Sequence, residues 1–184
     1  MPLCEPCDRP MSNERRNWYI VRATYGREMS VKRYFDRQKV RSYVPMHYVE
    51  AQIGGRTRLV QRPIVRNLLF VRITPAWLER LRQGAPVPFG LYYDRGSREP
   101  AVVPDKEMDD FIYVSGGRFD DTQLIDLQCE RLDAGDRVRI TEGVFKGVEG
   151  EYVRYGSKQR VVVKVQGLLA VATAEIPARS VERI

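Results

Sequence analysis

A single histidine, His47, leaves this chain little room for histidine-based acid–base chemistry, a multi-histidine metal centre or a serine–histidine pair. Cys4-Glu-Pro-Cys7 has the spacing of half a zinc site. The missing donors would have to be Cys129 and His47, far along the chain and in different elements, so no metal is expected. The carboxylates Asp105, Glu107, Asp109 and Asp110 crowd the start of one helical segment, where capping and the helix dipole explain them better than catalysis. Neither a glycine-rich phosphate loop nor a nucleophile–base pair is visible. The expectation is a protein with no catalytic residue and no cofactor, not an enzyme.

The chemistry that remains is that of cations. Net charge is +7 and the pI is near 9.5, which favours an anionic partner. Residues 1–85 carry 17 Lys/Arg against 7 Asp/Glu, whereas residues 86–184 carry 14 against 17, so the basic surface belongs to the first half. Arg27, Lys32, Arg33, Arg37, Lys39 and Arg41 flank one helical segment, with Tyr25 and Tyr34 among them. Such a face neutralises phosphates beside rings that stack on unpaired bases. The competing reading is a merely solvated surface. Arg56, Arg58, Arg62 and Arg66 decorate a hairpin further on, a weaker signal because many solvated hairpins are as basic.

The elements that must position these residues follow from period and punctuation. At 184 residues, 43% hydrophobic and 30% charged, the chain suits one ordinary domain or two small ones, and no apolar run approaches the roughly 20 residues of a membrane span. Residues 1–16, with three prolines, read as a flexible tail. NWYIVRA, residues 17–23, is a strand with Trp18 and Ile20 on one side and Tyr19, Val21 and Ala23 on the other. Residues 27–40 form an amphipathic helix on Val31, Tyr34, Phe35 and Gln38. YVPMHYVE, the Gly54-Gly55 turn and LVQRPIVRNLLFVRI imply a hairpin and a following strand. Pro75 starts a second helix and Gly84 ends it. LYYD and PAVV are short strands, and a third helix opens at Asp105 and closes at Gly116-Gly117. The order β-α-β-β-α-β-β-α predicts an α+β domain over 17–115, an α/β sandwich on an antiparallel or mixed sheet. Residues 116–131 read as a linker, and five short β-rich runs over 132–184 as a small five-stranded β-barrel.

Within that barrel, DAGDRVRITEGVFKGVEGE is the most specific segment of the chain. Val138 and Ile140 alternate inward, Gly143 permits a turn, Val144 and Phe145 cap the core, and Gly147 and Gly150 allow backbones to approach. The pattern, with Gly143, Phe145, Lys146, Gly147 and Gly150, resembles a KOW motif, the strand-loop-strand signature of transcription elongation factors and some ribosomal proteins, on an SH3-like barrel. NWYIVRATYGRE, the helix after it, YVPMHYVE and RPIVRNLLFVRI resemble, in order and spacing, the amino-terminal (NGN) domain of the NusG family. Arg66-Asn67-Leu68 stands where housekeeping members carry a Pro-Gly-Tyr type of turn. That Asn, and REPAVVPDKEMDDFI, look more like the specialised members, RfaH and the UpxY antiterminators of polysaccharide operons.

The resemblance implies a factor that rides on RNA polymerase, seating the clamp helices of the largest subunit in an apolar depression. By position, that depression would be built from Val65, Leu68, Phe70, Leu91 and Tyr93. It also implies contact with the non-template DNA strand of the transcription bubble, and upstream duplex DNA or another polymerase element beside the hairpin of Arg56, Arg58, Arg62 and Arg66. Tyr25, Arg27, Ser30, Lys32, Arg33 and Tyr34 fall in the matching turn and helix, although Thr24 and Tyr25 replace the basic residues of specialised members. A ribosomal protein or a termination factor is the implied partner of the barrel, which is expected to be a barrel at rest because RVVVKV is strand-prone. The expected protein is a cytoplasmic, monomeric, operon-specific antitermination factor with no membrane partner. The alternative is a ribosome-associated RNA-binding KOW protein.

Overall fold

The computed structural model describes residues 15–94, 96–117, 122–127, 135–166 and 168–184. Cys4, Cys7, Cys129, most of the expected tail and linker, and the first residues of the expected barrel lie outside the described residues.

A strand that is apolar on both faces needs cover on both, and the first strand, β1 (Asn17–Ala23), receives it. Along one edge β1 pairs with β5 (Leu68–Ile73), from Asn17 opposite Ile73 to Arg22 opposite Leu68. Its other edge carries β6 (Phe89–Leu91) and β7 (Val102–Val103) in succession, and β2 (Arg41–Tyr43) pairs with β5 to complete the sheet. Every pairing is antiparallel, which resolves the expected antiparallel or mixed sheet. Helices α1 (Glu28–Arg37) and α2 (Pro75–Gln83) bring Val31, Tyr34, Phe35, Leu78 and Leu81 against Tyr19, Val21, Leu69 and Val71. The third helix, α3 (Asp105–Gly116), brings Met108, Phe111 and Val114 into one core with Trp18, Ile20, Leu68 and Phe70.

Local chemistry sets the helix ends. Thr74 accepts a hydrogen bond from the Trp77 amide at 3.4 Å, Pro75 occupies the first turn and Gly84 follows the last, as expected. The first helix stops short of residue 40. Lys39 takes a left-handed φ of 56°, and the Lys39 and Val40 amides return to the Asp36 and Phe35 carbonyls at 3.0 Å each. Gln38, expected on the apolar stripe, is therefore the exposed C-cap. Gly54 and Gly55, both at positive φ, join β3 (Met46–Ile53) to β4 (Arg56–Pro63) in a two-stranded ribbon that pairs with no other strand among the described residues.

The carboxy-terminal sheet is one strand larger than expected. β9 (Asp136–Ile140), β10 (Glu149–Tyr155), β11 (Lys158–Val165), β12 (Leu169–Ala172) and β13 (Val181–Arg183) account for the five apolar runs. β8 (Gln123–Asp126) adds to β12 at the edge, so residues expected to be linker supply a sixth strand, giving the order β13-β9-β10-β11-β12-β8. Val138, Ile140 and Phe145 point inward as expected. Val144 does not cap the core, because the tight Gly143 turn leaves it 64% exposed. Gly147 owes its place to a φ of 90° rather than to close approach, whereas a Cβ on Gly150 would lie 2.5 Å from the Val162 carbonyl.

Between the two sheets lies α3. On one side Arg72 grips Asp105 through both carboxylate oxygens at 3.2 and 2.9 Å, Arg41 reaches Asp109 at 3.4 Å, and the Tyr43 and Ser115 hydroxyls share a 2.7 Å bond. On the other, Lys106 donates to the Gly147 carbonyl at 2.8 Å, Asp110 accepts the Glu149 amide at 3.0 Å, and Tyr113 donates to the Val144 carbonyl at 2.6 Å. Gln166 donates to the Val102 carbonyl at 2.8 Å and, through its amide, to Glu107 at 3.4 Å. Burial pushes the Glu107 carboxyl above its usual range. The four carboxylates thus do more than satisfy a helix dipole, since each fastens the helix to a neighbouring element. One buried cluster runs from Trp18 and Phe70 through Phe111 to Val161 and Leu169.

Gly150→Ala is expected to cost about 1–3 kcal/mol in urea unfolding, by forcing β10 from β11. A variant as stable as the parent would contradict the close approach.

Candidate functional site

The turn between β1 and α1 is held in an unusual shape by one side chain. Tyr25 and Gly26 take successive left-handed φ values of 53° and 68°, and for a tyrosine that conformation costs about 1–2 kcal/mol. Asn67 compensates. Its side-chain oxygen accepts the Gly26 amide at 2.6 Å, its carbonyl accepts the Ala23 amide at 2.8 Å, and its own amide donates to the buried Glu28 carboxylate at 3.2 Å. Thr24 donates to the Pro88 carbonyl at 3.2 Å from the other side. The result is a tyrosine ring that is 92% exposed on a fixed backbone. Sequence reading noted Asn67 only as a family marker, although asparagine beside a glycine turn is a residue that tolerates positive φ and bonds the backbone.

Arg27, Ser30, Arg33 and Arg37 continue from that turn at helical spacings of three, three and four, along one face of α1. Arg33 donates to Ser30 at 3.2 Å, and Arg27, Arg33 and Arg37 have no carboxylate partner among the described residues. The remaining expected members divide. Lys32 is tied to Asp36 at 2.8 Å, which neutralises it. Tyr34 is not available for stacking: it is buried under α2 and donates to the Leu81 carbonyl at 3.1 Å, and desolvation raises its phenol above the ordinary value. Position 34 lies on the apolar stripe with Val31 and Phe35, so the ring points inward. Arg41 is also drawn away, to Asp109 and over the Trp18 ring at 5.0 Å.

The five residues expected to form an apolar depression do not share a face. Val65, Leu68 and Phe70 lie in the α3-side core, the last two fully buried, with Phe70 and Phe111 rings 6.0 Å apart. Leu91 pairs opposite Val21 and therefore packs on the α1/α2 side. Tyr93 is 55% exposed in a bridge to Pro100. Tyr92, one residue from either, packs beside the α3-side core in their place. A single β bond of register decides this, and LYY reads equally well both ways. As the protein stands, α3 and the six-stranded sheet share the core into which Leu68 and Phe70 are packed.

Of the residues expected to form a KOW motif, Gly143 sits at φ 79°, Phe145 is buried, Lys146 is exposed, and Gly150 gives β10 its close approach to β11. The Gly147 carbonyl is the one that Lys106 takes. Among the described residues no group of three metal-ligating side chains occurs and no helix is long and apolar enough to cross a membrane.

The family model described as transcription termination factor nusG (NusG) matches residues 16–112, just over half of the chain. Among solved structures, one on domain interaction in Thermotoga maritima NusG is similar over 92% of this chain and 98% of that one, at 18% identity and a TM-score of 0.45. A chain of the MjSpt4:Spt5 complex is similar over 91% and 96%, at 16% identity and a TM-score of 0.28.

Tyr34→Phe is expected to lose about 0.5–1.5 kcal/mol of stability through the missing Leu81 bond, with single-stranded DNA affinity unchanged. A loss of DNA affinity at unaltered stability would return Tyr34 to the nucleic-acid face.

Proposed function

Because the chain belongs to the NusG family of transcription factors, which are not enzymes, we propose that it is an elongation and antitermination factor acting on RNA polymerase through its α+β unit. The non-template strand of the bubble runs over the turn at Tyr25 and along Arg27, Ser30, Arg33 and Arg37. Phosphates meet the unpaired guanidinium groups, and an unpaired base stacks on the Tyr25 ring, a contact worth about 1–3 kcal/mol. The observation that carries this reading is the strained, fully presented Tyr25, because left-handed tyrosines persist only where their surroundings hold them.

The clamp helices dock on the α3-side face, where Val65, Leu68, Phe70 and Tyr92 lie, once the carboxy-terminal sheet moves off α3 and leaves apolar surface uncovered. Leu91 and Tyr93 have no part in it. Binding the closed, elongating clamp better than the paused one stabilises elongation by at most that difference in affinity, and about 1–3 kcal/mol shortens pauses several-fold or more. The factor serves one class of operon, that of capsular or surface polysaccharides, in the cytoplasm and as a monomer. Its carboxy-terminal sheet meets a ribosomal protein or a termination factor. A ribosomal RNA-binding role is disfavoured by the pairing of cations on that sheet: Arg139 with Glu149 and Glu182, Lys164 with Glu151, and Arg183 with Asp136.

The test is transcription by purified polymerase through a pause in the operon beside the gene. The parent is expected to shorten pausing several-fold, and Tyr25→Ala with Arg27→Ala to abolish most of that effect. A parent without effect on any polymerase step would overturn the proposal.

A further inference from the structure

A charged side chain on the buried stripe of a helix needs a reason, because acids are almost never fully buried unless paired. Glu28 lies three and seven residues before Val31 and Phe35 on the apolar stripe of α1, and it is only 6% exposed. No ion pair fixes it among the described residues. Its carboxylate instead accepts the Asn67 amide at 3.2 Å, 39 residues away in sequence, and so joins the β1–α1 turn to the turn before β5. Both turns are strained. Thr24 to Arg27 is closed by the Arg27 amide on the Thr24 carbonyl at 3.1 Å, with both central residues, Tyr25 and Gly26, at positive φ. That is the pattern of a type I′ turn, whose first central place favours asparagine or glycine rather than tyrosine. Asn67 itself takes a left-handed φ of 66°. The Gly26 amide on the Asn67 side chain at 2.6 Å braces one turn against the other, and Glu28 holds the backbone from which that side chain projects.

We propose that Glu28 is a positioning residue for the nucleic-acid face: it touches no nucleotide, and through Asn67 it holds the backbone that presents the Tyr25 ring to an unpaired base. The proposal rests on the reading of Tyr25 as a stacking platform and adds the buried group that fixes the platform. Charge alone predicts the opposite effect. A carboxylate adjoining Arg27 opposes a polyanion, so if Glu28 acted through its field its removal would tighten binding. Acting as a brace, its removal loosens the turn, the bound strand must then order the ring as well as itself, and affinity falls. The phosphates are held by Arg27, Arg33 and Arg37 along α1, so the loss falls on the stacked base and leaves the salt dependence as it was. The two accounts therefore differ in the sign of one measurement.

The full-length protein is titrated with a labelled single-stranded DNA of about 12 nucleotides at several salt concentrations, and exchange of the Gly26 amide is followed by NMR. Glu28→Ala is expected to bind roughly fivefold less tightly, with faster exchange at Gly26 and an unchanged slope of log affinity against log salt. Glu28→Gln keeps an oxygen for the Asn67 amide and discards the charge, and its affinity should stay within about twofold of the parent. Asn67→Gly suits the left-handed φ but offers Gly26 no side-chain oxygen, so it should behave as Glu28→Ala does, and it decides the matter if Glu28→Ala does not fold. Adding Tyr25→Ala to either variant should cost nothing beyond the loss from Tyr25→Ala alone, since the ring is what both act upon. Unaltered or tighter binding by Glu28→Ala and Asn67→Gly, Glu28→Gln as weak as Glu28→Ala, or losses that add to that of Tyr25→Ala would each overturn the proposal. Equal binding by the parent and Tyr25→Ala is a separate failure, that of the stacking platform on which the proposal rests.

Discussion

The described residues are arranged about a helix, α3, that is packed between two sheets. α3 buries Met108, Phe111 and Val114, and it carries Lys106, Glu107 and Asp110 toward the carboxy-terminal sheet and Asp105 and Asp109 toward arginines of the first. Asp110 is the hinge point of this arrangement. It is buried, it accepts from Lys106 and from the Glu149 amide, and removing it would leave that part-buried backbone donor without its acceptor, at a cost of about 1 kcal/mol. A helix with one apolar stripe would define one domain. With polar anchors on a second face it makes two sheets share a single core.

The same constraint explains how charge is distributed. Several cations near α3 and on the carboxy-terminal sheet are held by carboxylates, whereas Arg27, Arg33 and Arg37 along α1 and Arg56, Arg58 and Arg62 on the ribbon hold none among the described residues. The excess positive charge of the first half is thus concentrated on surfaces that do not pack, which is where a polyanion can be held at low desolvation cost. The apolar face is treated in the opposite way, being covered rather than displayed.

Much of this was legible in the chain. β1 declares its two buried faces by an unbroken apolar run from Trp18 to Val21, Pro75 and Gly84 bracket α2, and Gly54-Gly55 fixes the ribbon and hence its register. What the chain concealed were choices between equal local readings. Tyr34 sits on the apolar stripe of α1 with Val31 and Phe35, and the cations on either side of it in sequence masked what the helical period already said. Leu91 and Tyr92 differ by one residue in a strand of three, too short for alternation to declare a side. Gln123–Asp126 was hidden because an edge strand of four residues in an acidic stretch has almost no period. The role of the α3 carboxylates depends on partners 33 to 68 residues away, which no local rule reports.

The most direct measurement compares core RNA polymerase binding by the parent and by Asp110→Ala, with amide hydrogen exchange of α3 and β10 recorded on the same samples. Docking on the covered face requires that faster exchange at the seam be accompanied by tighter polymerase binding, because affinity scales with the population of the uncovered form. Faster exchange with unchanged or weaker binding would contradict docking there.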